Sequence, residues 1–199
     1  MFSYNKYGNP EKVVNDRVGT GSPNMWFKYD KYNRLIQLIR PYSNNNYETW
    51  NKYGYNAKNQ IVRDTQYEFG PFVDSVPSIT PMIMARRIYT VYEYDAFNRI
   101  SMKKDSNVIF NSILVRQKFF NYNSKGNLVG ENLVYDDKIS ILRTNKIWMF
   151  LAQDYSVNNP VIAAEYSRNG LPVVFSGNQS VGLIFPYTFS DVKVDYSCY

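Results

Sequence analysis

The chain has 199 residues, 23 Lys plus Arg against 17 Asp plus Glu, no histidine and a single cysteine. Without imidazole it lacks the commonest general base, the usual metal ligands and any Cys-His dyad, so zinc sites and triad hydrolysis lose their ordinary parts. Aromatic residues at 17%, with 19 Tyr and 12 Phe, exceed what a helical protein carries and point to pleated, half-buried surface.

The formal net charge of +6 invites a nucleic-acid partner. The cations, however, are scattered singly, and the densest groups are Arg86-Arg87 and Lys103-Lys104. They form no continuous track from which counterions would be released, so nucleic acid is not expected. No run approaches the roughly 18 apolar residues of a spanning helix, and no basic-then-apolar signal opens the chain. The opening at Met1 directly on a repeat copy suggests a mature or trimmed chain whose targeting segment lies upstream. The length suits one all-β domain over 1–199.

In chain order, one pattern recurs: aromatic, any residue, Tyr, Asp or Asn, two free positions, Gly or Asn, a polar residue, an aliphatic. It occupies Phe2 to Pro10, Phe27 to Leu35, Tyr53 to Ile61, Tyr92 to Ile100 and Phe120 to Leu128, with a worn copy at Glu165 to Pro172. Alternating aromatics spell a strand, the Asx accepts a hydrogen bond from backbone two residues on, and Gly or Asn tolerates φ > 0. Each copy therefore reads as a β-hairpin closed by a type I turn with a left-handed residue. Asp30 and Asp95 are accordingly turn formers rather than catalytic acids.

The first hairpin fills 1–18, and the second pairs Met25–Tyr29 with Leu35–Arg40. The third pairs Tyr47–Tyr55 with Ile61–Phe69. Gly70-Pro71, Pro77 and Pro81 mark a long loop that proline keeps out of a central sheet. A fourth hairpin joins Met84–Tyr94 to Arg99–Lys104, and a fifth joins Val108–Tyr122 to Leu128–Tyr135. The run Thr144 to Asp154 follows a capable N-cap and is the one short helix, with Trp148, Phe150 and Leu151 expected to seat on a curved aromatic sheet. Strands at Val161–Tyr166, Leu171–Phe175, Gly182–Phe189 and Val192–Tyr199 complete an antiparallel meander curled into an open or closed barrel-like sheet. Cys198 cannot form an internal disulfide and reads as a small apolar filler on the last strand, with interchain pairing or a free thiol as alternatives.

These copies resemble the tyrosine-aspartate repeats of Rhs and teneurin proteins, most closely at Tyr92 to Ile100 and Phe27 to Leu35. Trp148-Met149-Phe150-Leu151, Asn158-Asn159-Pro160, Tyr166 to Pro172 and Tyr196-Ser197-Cys198 are similar to the close of secreted Bacteroidetes lipoproteins, a domain of unknown function with a porin-like fold. The resemblance implies a curled meander, an envelope or secreted location with membrane contact only through an upstream lipid anchor, and no catalytic residues. From Tyr4 to Tyr29 to Tyr55 each step is about 25 residues, but Tyr55 to Tyr94 is nearer 40, unlike a uniform spiral shell.

No cluster demands a cofactor or metal, and none is expected. The residues favour a non-enzymatic protein binding a glycan, peptide or protein partner through exposed aromatic surface, with Trp26, Trp50, Tyr47 and Tyr53 as candidate contacts, since Tyr and Trp give large rigid contact area. One alternative is a glycoside hydrolase, with Asp136-Asp137 or Glu165 supplying carboxyls about 5–9.5 Å apart. The other is a shell-forming module, which would assemble through open sheet edges.

Overall fold

The computed structural model describes residues 1–84, 86–110, 112–130, 133–160, 163–176 and 191–196. The expected strand at Gly182–Phe189, and Cys198, lie outside these. The chain's contacts divide into two units, Met1–Phe119 and Phe120–Tyr199.

The first unit is a meander. Strands β1 (Phe2–Tyr4), β2 (Pro10–Val13), β3 (Met25–Tyr29), β4 (Leu35–Pro41), β5 (Asn46–Tyr55), β6 (Ile61–Val73), β8 (Arg86–Tyr94), β9 (Ile100–Ile109) and β10 (Ser112–Phe119) pair in that order, all antiparallel. A tenth strand, β7 (Val76–Pro77), pairs β6 off this path. Among the described residues the path has two ends, β1 and β10, and the sheet is open.

The repeat copies become hairpin corners of one design. In each, the Asx Oδ1 accepts two backbone N–H bonds: Asn5 from Tyr7 and Asn9, Asp30 from Tyr32 and Arg34, Asn56 from Lys58 and Gln60, Asp95 from Phe97 and Arg99. The fourth turn residue adopts positive φ, at Gly8 (73°), Asn33 (61°), Asn59 (58°) and Asn98 (60°). Pairing then slips by one residue just before every corner, at Ser3/Tyr4, Lys28/Tyr29, Gly54/Tyr55 and Glu93/Tyr94. This is the bulge that a left-handed residue closing a type I turn produces.

The second aromatic of the pattern is Tyr, where the first alternates with Phe, because its hydroxyl has a partner. Tyr29 Oη donates to Pro10 O, Tyr55 Oη to Leu35 O at 2.9 Å, and Tyr94 Oη to Ile61 O at 2.8 Å. Every acceptor is the residue opening the outgoing strand of the preceding hairpin, so the second, third and fourth repeats are each pinned to the one before. Replacing Tyr55 by Phe strands the carbonyl of the buried Leu35 and is expected to lower the unfolding free energy by about 1–2 kcal/mol. Urea titration of the wild type and the variant measures it.

Three expectations are corrected. β6 runs on through Gly70-Pro71 to Val73 and turns back at Asp74 and Ser75, both at positive φ, into β7. Pro71 sits there near a strand end, where its missing N–H is not needed and its carbonyl accepts from Ser78 N. The outgoing arm of the fourth hairpin does not stop at Lys104. Polar residues Asp105, Ser106 and Asn107 continue β9, and the strand paired to it is β10, so among the described residues the fifth repeat keeps its corner, the single bridge Tyr122↔Leu128 and the bond from Val129 N to Asn121 O. A one-turn helix, α1 (Pro81–Met84), adds to the helix expected from the sequence.

In the second unit the fifth corner recurs, with Asn123 Oδ1 accepting from Lys125 and Asn127 N and Gly126 at φ 81°. Helix α2 (Lys146–Ala152) lies within the expected run. Asn145 caps it by accepting from Ile147 N, and Gln153 ends it in the left-handed region. Ile147, Trp148 and Phe150 are its buried residues, while Leu151 is half-buried. Strands β11 (Glu165–Tyr166), β12 (Pro172–Ser176) and β13 (Asp191–Lys193) form a second antiparallel sheet. Tyr196 Oη donates to Pro172 O at 2.6 Å, repeating the tyrosine latch.

Candidate functional site

The strand register sorts the four candidate aromatics onto the two faces of the first sheet. Lys12, Trp26, Ile39, Trp50 and Tyr67 are successive cross-strand partners on one face. Tyr47, at the far end of β5, joins Ile39, Trp50 and Phe72 in one buried cluster, with Trp26, Tyr67 and Ile79 packed against it. Tyr47 is 0% exposed and Trp50 7%.

Both rings are held within the protein by their neighbours. Trp50 Nε1 donates to Gln37 Oε1 at 3.0 Å, and Lys52 Nζ lies 4.1 Å over the indole. The Tyr47 hydroxyl donates to Ser78 O at 3.1 Å, which ties the long loop down onto the cluster. Trp26 is half-buried, edge-on to Phe72 at 5.1 Å and covered by Lys12 Nζ at 5.0 Å. Tyr53 is half-buried on the opposite face, directly across from Asp64.

That opposite face holds a polar row that is buried at Asp64 and Thr90 and reaches the exposed edge at Arg116. Tyr53, Asp64, Thr90, Asp105 and Arg116 are consecutive cross-strand partners. Asn51 Nδ2 donates to both oxygens of Asp64, at 3.1 and 2.9 Å. Thr90 Oγ1 donates to Asp105 Oδ1 at 2.6 Å, and Lys103 Nζ pairs with its other oxygen at 3.1 Å. Burial pushes the Asp64 carboxyl up to about 7, against the Asn51 bonds and the Arg40 and Lys103 charges that pull it down, while Asp105 adds to the rise. Burial likewise raises the Tyr53 hydroxyl, reinforced by the Asp64 charge. These carboxylates are engaged by protein donors at both oxygens, which is how buried acids are held structurally.

The acids offered for hydrolysis are placed apart in role. Asp136 accepts from Asn159 N and Nδ2, Lys138 N and the Tyr166 hydroxyl, which anchors the Asn159 segment. Asp137 faces solvent beside Lys138 at 3.0 Å, whose hydrogen bond lowers its pKa, and Glu165 is exposed. Among the described residues no group of three or more Asp, Glu, Cys or His could hold a metal ion.

The exposed rings lie elsewhere, at the corners. A meander puts every corner that follows β1, β3, β5 and β8 at the same end of the sheet. The third turn residue projects there as Tyr7, Tyr32, Lys58 and Phe97, and the three rings are 64%, 68% and 77% exposed. Each ring carries a cation: Lys6 Nζ is 5.1 Å over Tyr7, Lys31 Nζ 5.0 Å over Tyr32, and Arg99 Cζ 5.0 Å over Phe97.

Arg residues also fix two of the corners. Arg34 pairs with Asp30 and Arg99 with Asp95, both at 2.7 Å. Desolvation pushes those two carboxyls up, but the Arg and backbone hydrogen bonds outweigh it and hold them below the ordinary Asp value. Neighbouring corners are tied laterally, Arg34 Nη1 to Asn59 Oδ1 at 3.4 Å and Gln60 Nε2 to Asn98 Oδ1 at 2.9 Å. Corners two strands apart repeat at about 10 Å, from a strand spacing of about 4.8 Å.

Sequence pattern held a signal for this row, since the third turn position is aromatic in three copies and nothing in turn geometry requires a ring there. Compared with protein-family models and with curated proteins, the chain matches none.

Proposed function

We propose that this chain is a non-enzymatic recognition module of the cell envelope or of the secreted space, binding an extended glycan along the corner row. The observation that supports it is the set of three exposed rings with cations at one end of one sheet. A flat pyranose face stacks on an aromatic ring, and an adjacent Lys or Arg donates to hydroxyl or carboxylate oxygens. The corner spacing of about two strand widths suits a β-linked chain, which presents the same face at every second sugar. The backbone under each ring is fixed by its Asx turn, at Tyr32 and Phe97 with an Arg–Asp ion pair as well, which lowers the ordering entropy that opposes binding.

The test is calorimetric titration with neutral and uronic-acid-containing β-linked oligosaccharides against the wild type and a Tyr7→Ala/Tyr32→Ala/Phe97→Ala variant. The wild type is expected to bind at least one of them. The variant should keep its fold, because exposed substitutions change stability little, and lose affinity about fivefold per ring engaged, at about 1 kcal/mol each. Equal affinity of the two proteins, or no binding by the wild type, overturns the proposal. The envelope location is supported by the resemblance of the Trp148 to Leu151 and Asn158 to Pro160 segments to secreted lipoproteins. Recovery of the native protein in the cytosolic fraction of its source cells contradicts it.

A further inference from the structure

The two ends of the first sheet are unlike. β1 has 3 residues, too short to template another strand, whereas β10 has 8 and all of them are exposed. An edge strand directs the N–H and C=O of every second residue outward, available to another chain. On β10 the side chains beside those groups are largely apolar: Ile113, Leu114, Val115 and Phe119 are all exposed. Cross-strand register puts Ile113, Val115 and Phe119 on one face, and Leu114 with Arg116 on the other.

Natural edges are usually shortened, bent by bulges, broken by proline or charged, above all with Lys, and of these devices β10 has the charges alone, Arg116 and Lys118. β10 pairs β9 without a register shift and contains no proline. An exposed apolar surface of this kind marks an interaction site rather than ordinary solvated surface.

Charge selects the occupant. β10 carries no acid, and its two cations, Arg116 and Lys118, share one face, opposite Asp105 and Lys103 of the strand beside it. A second copy of the same strand would bring these cations against one another, whereas a strand with acidic side chains on that face would meet them favourably. We propose that β10 captures an extended segment of another protein that alternates apolar residues with Asp or Glu, by adding it as a further antiparallel strand. Main-chain hydrogen bonds supply affinity in this mode, and alternate side chains supply selectivity. The site is independent of the corner row.

The probe is a fluorescein-labelled eight-residue peptide alternating valine with glutamate, matched to the 8 residues of β10, with binding followed by anisotropy on the full chain. Two controls accompany it: the same peptide with lysine for glutamate, and the glutamate peptide N-methylated at alternate amides, which removes the ladder donors and leaves the protein untouched. The glutamate peptide is expected to bind at least tenfold more tightly than either control. The Arg116→Glu variant, at an exposed side chain, should narrow or reverse the charge preference. The corner-row triple variant should bind the peptide unchanged, so the failure of one site is visible apart from the other. Equal binding of the methylated peptide overturns strand addition, and equal binding of the lysine peptide overturns the acidic partner. Either failure of the glutamate peptide to bind, or a wild-type dimer that Val115→Pro dissociates, overturns the assignment of this edge to a foreign strand.

Discussion

Changing Asp64 to Asn is expected to remove most of the pH dependence of stability between pH 4 and pH 8. The folded carboxyl titrates at about 7 and the unfolded one at 3.8. A folded value raised above the unfolded one means that the folded chain holds the proton over this window and the unfolded chain does not. Stability from this group is therefore complete below about pH 4 and is lost as pH rises through 7. The difference of about three pH units corresponds to about 4 kcal/mol.

At pH 4 a protonated Asp64 is close to isosteric with Asn, and Asn51 Nδ2 keeps an acceptor in either case. At pH 8 the wild type holds a charge in a buried row while the variant does not. Urea midpoints at the two pH values should show the stability difference between wild type and variant shifting by about 4 kcal/mol in the variant's favour. Parallel pH profiles would mean that Asp64 is ionised throughout, its charge carried by Arg40 and Lys103.

The second large effect belongs to a glycine. A Cβ at Gly70 would stand 2.3 Å from Tyr47 Oη, 2.4 Å from Tyr47 Cζ and 2.7 Å from Ile83 Cδ1. Tyr47 is fully buried, its hydroxyl is held by Ser78 O, and the sheet backs it, so the ring cannot retreat. Overpacking of a closed core costs about 1–3 kcal/mol and more where nothing yields, and Gly70→Ala is expected at or above 3 kcal/mol. Tyr47→Ala alone should lose about 3–5 kcal/mol through its cavity. Because an added methyl then occupies vacated space, the double variant should fall well short of the sum, and a double-mutant cycle on unfolding free energies measures that coupling. Additive losses would mean that the two residues are not in contact.

The hairpins were legible because each corner is a local device: Asx, a left-handed Gly or Asn, and the following polar residue interact within five positions. Asp30 and Asp95 sit at separate corners, as their spacing predicts, and the structure adds their pairing with Arg34 and Arg99. The antiparallel meander followed from the same periodicity, the helix near 144–154 from the place where that periodicity breaks, and only the strand pairing shows the sheet to be open. Less legible was anything that depends on register. Asp64 and Asn51 are 13 residues apart, and their pairing follows only once β5 and β6 are aligned. A strand that continues through Asp105, Ser106 and Asn107 looks like a turn until Thr90 and Lys103 are seen to hold the acid.

The aromatics show the same divide. Trp50 and Tyr47 have the size and polar tip that suit recognition, yet the loop 74–84 folds over them, a long-range event without a local signature. Tyr7, Tyr32 and Phe97 look like incidental turn residues one at a time, and become a row only when the meander aligns their corners.

Whether those corners stand side by side is the point on which the account turns. It is tested by continuous-wave electron paramagnetic resonance on nitroxide pairs at Tyr32→Cys/Lys58→Cys and Lys58→Cys/Phe97→Cys, in a Cys198→Ser background. Corners two strands apart predict dipolar broadening from separations of about 10 Å, widened by the label arms, in both pairs. Spectra without broadening in either pair would place those corners apart and contradict the row.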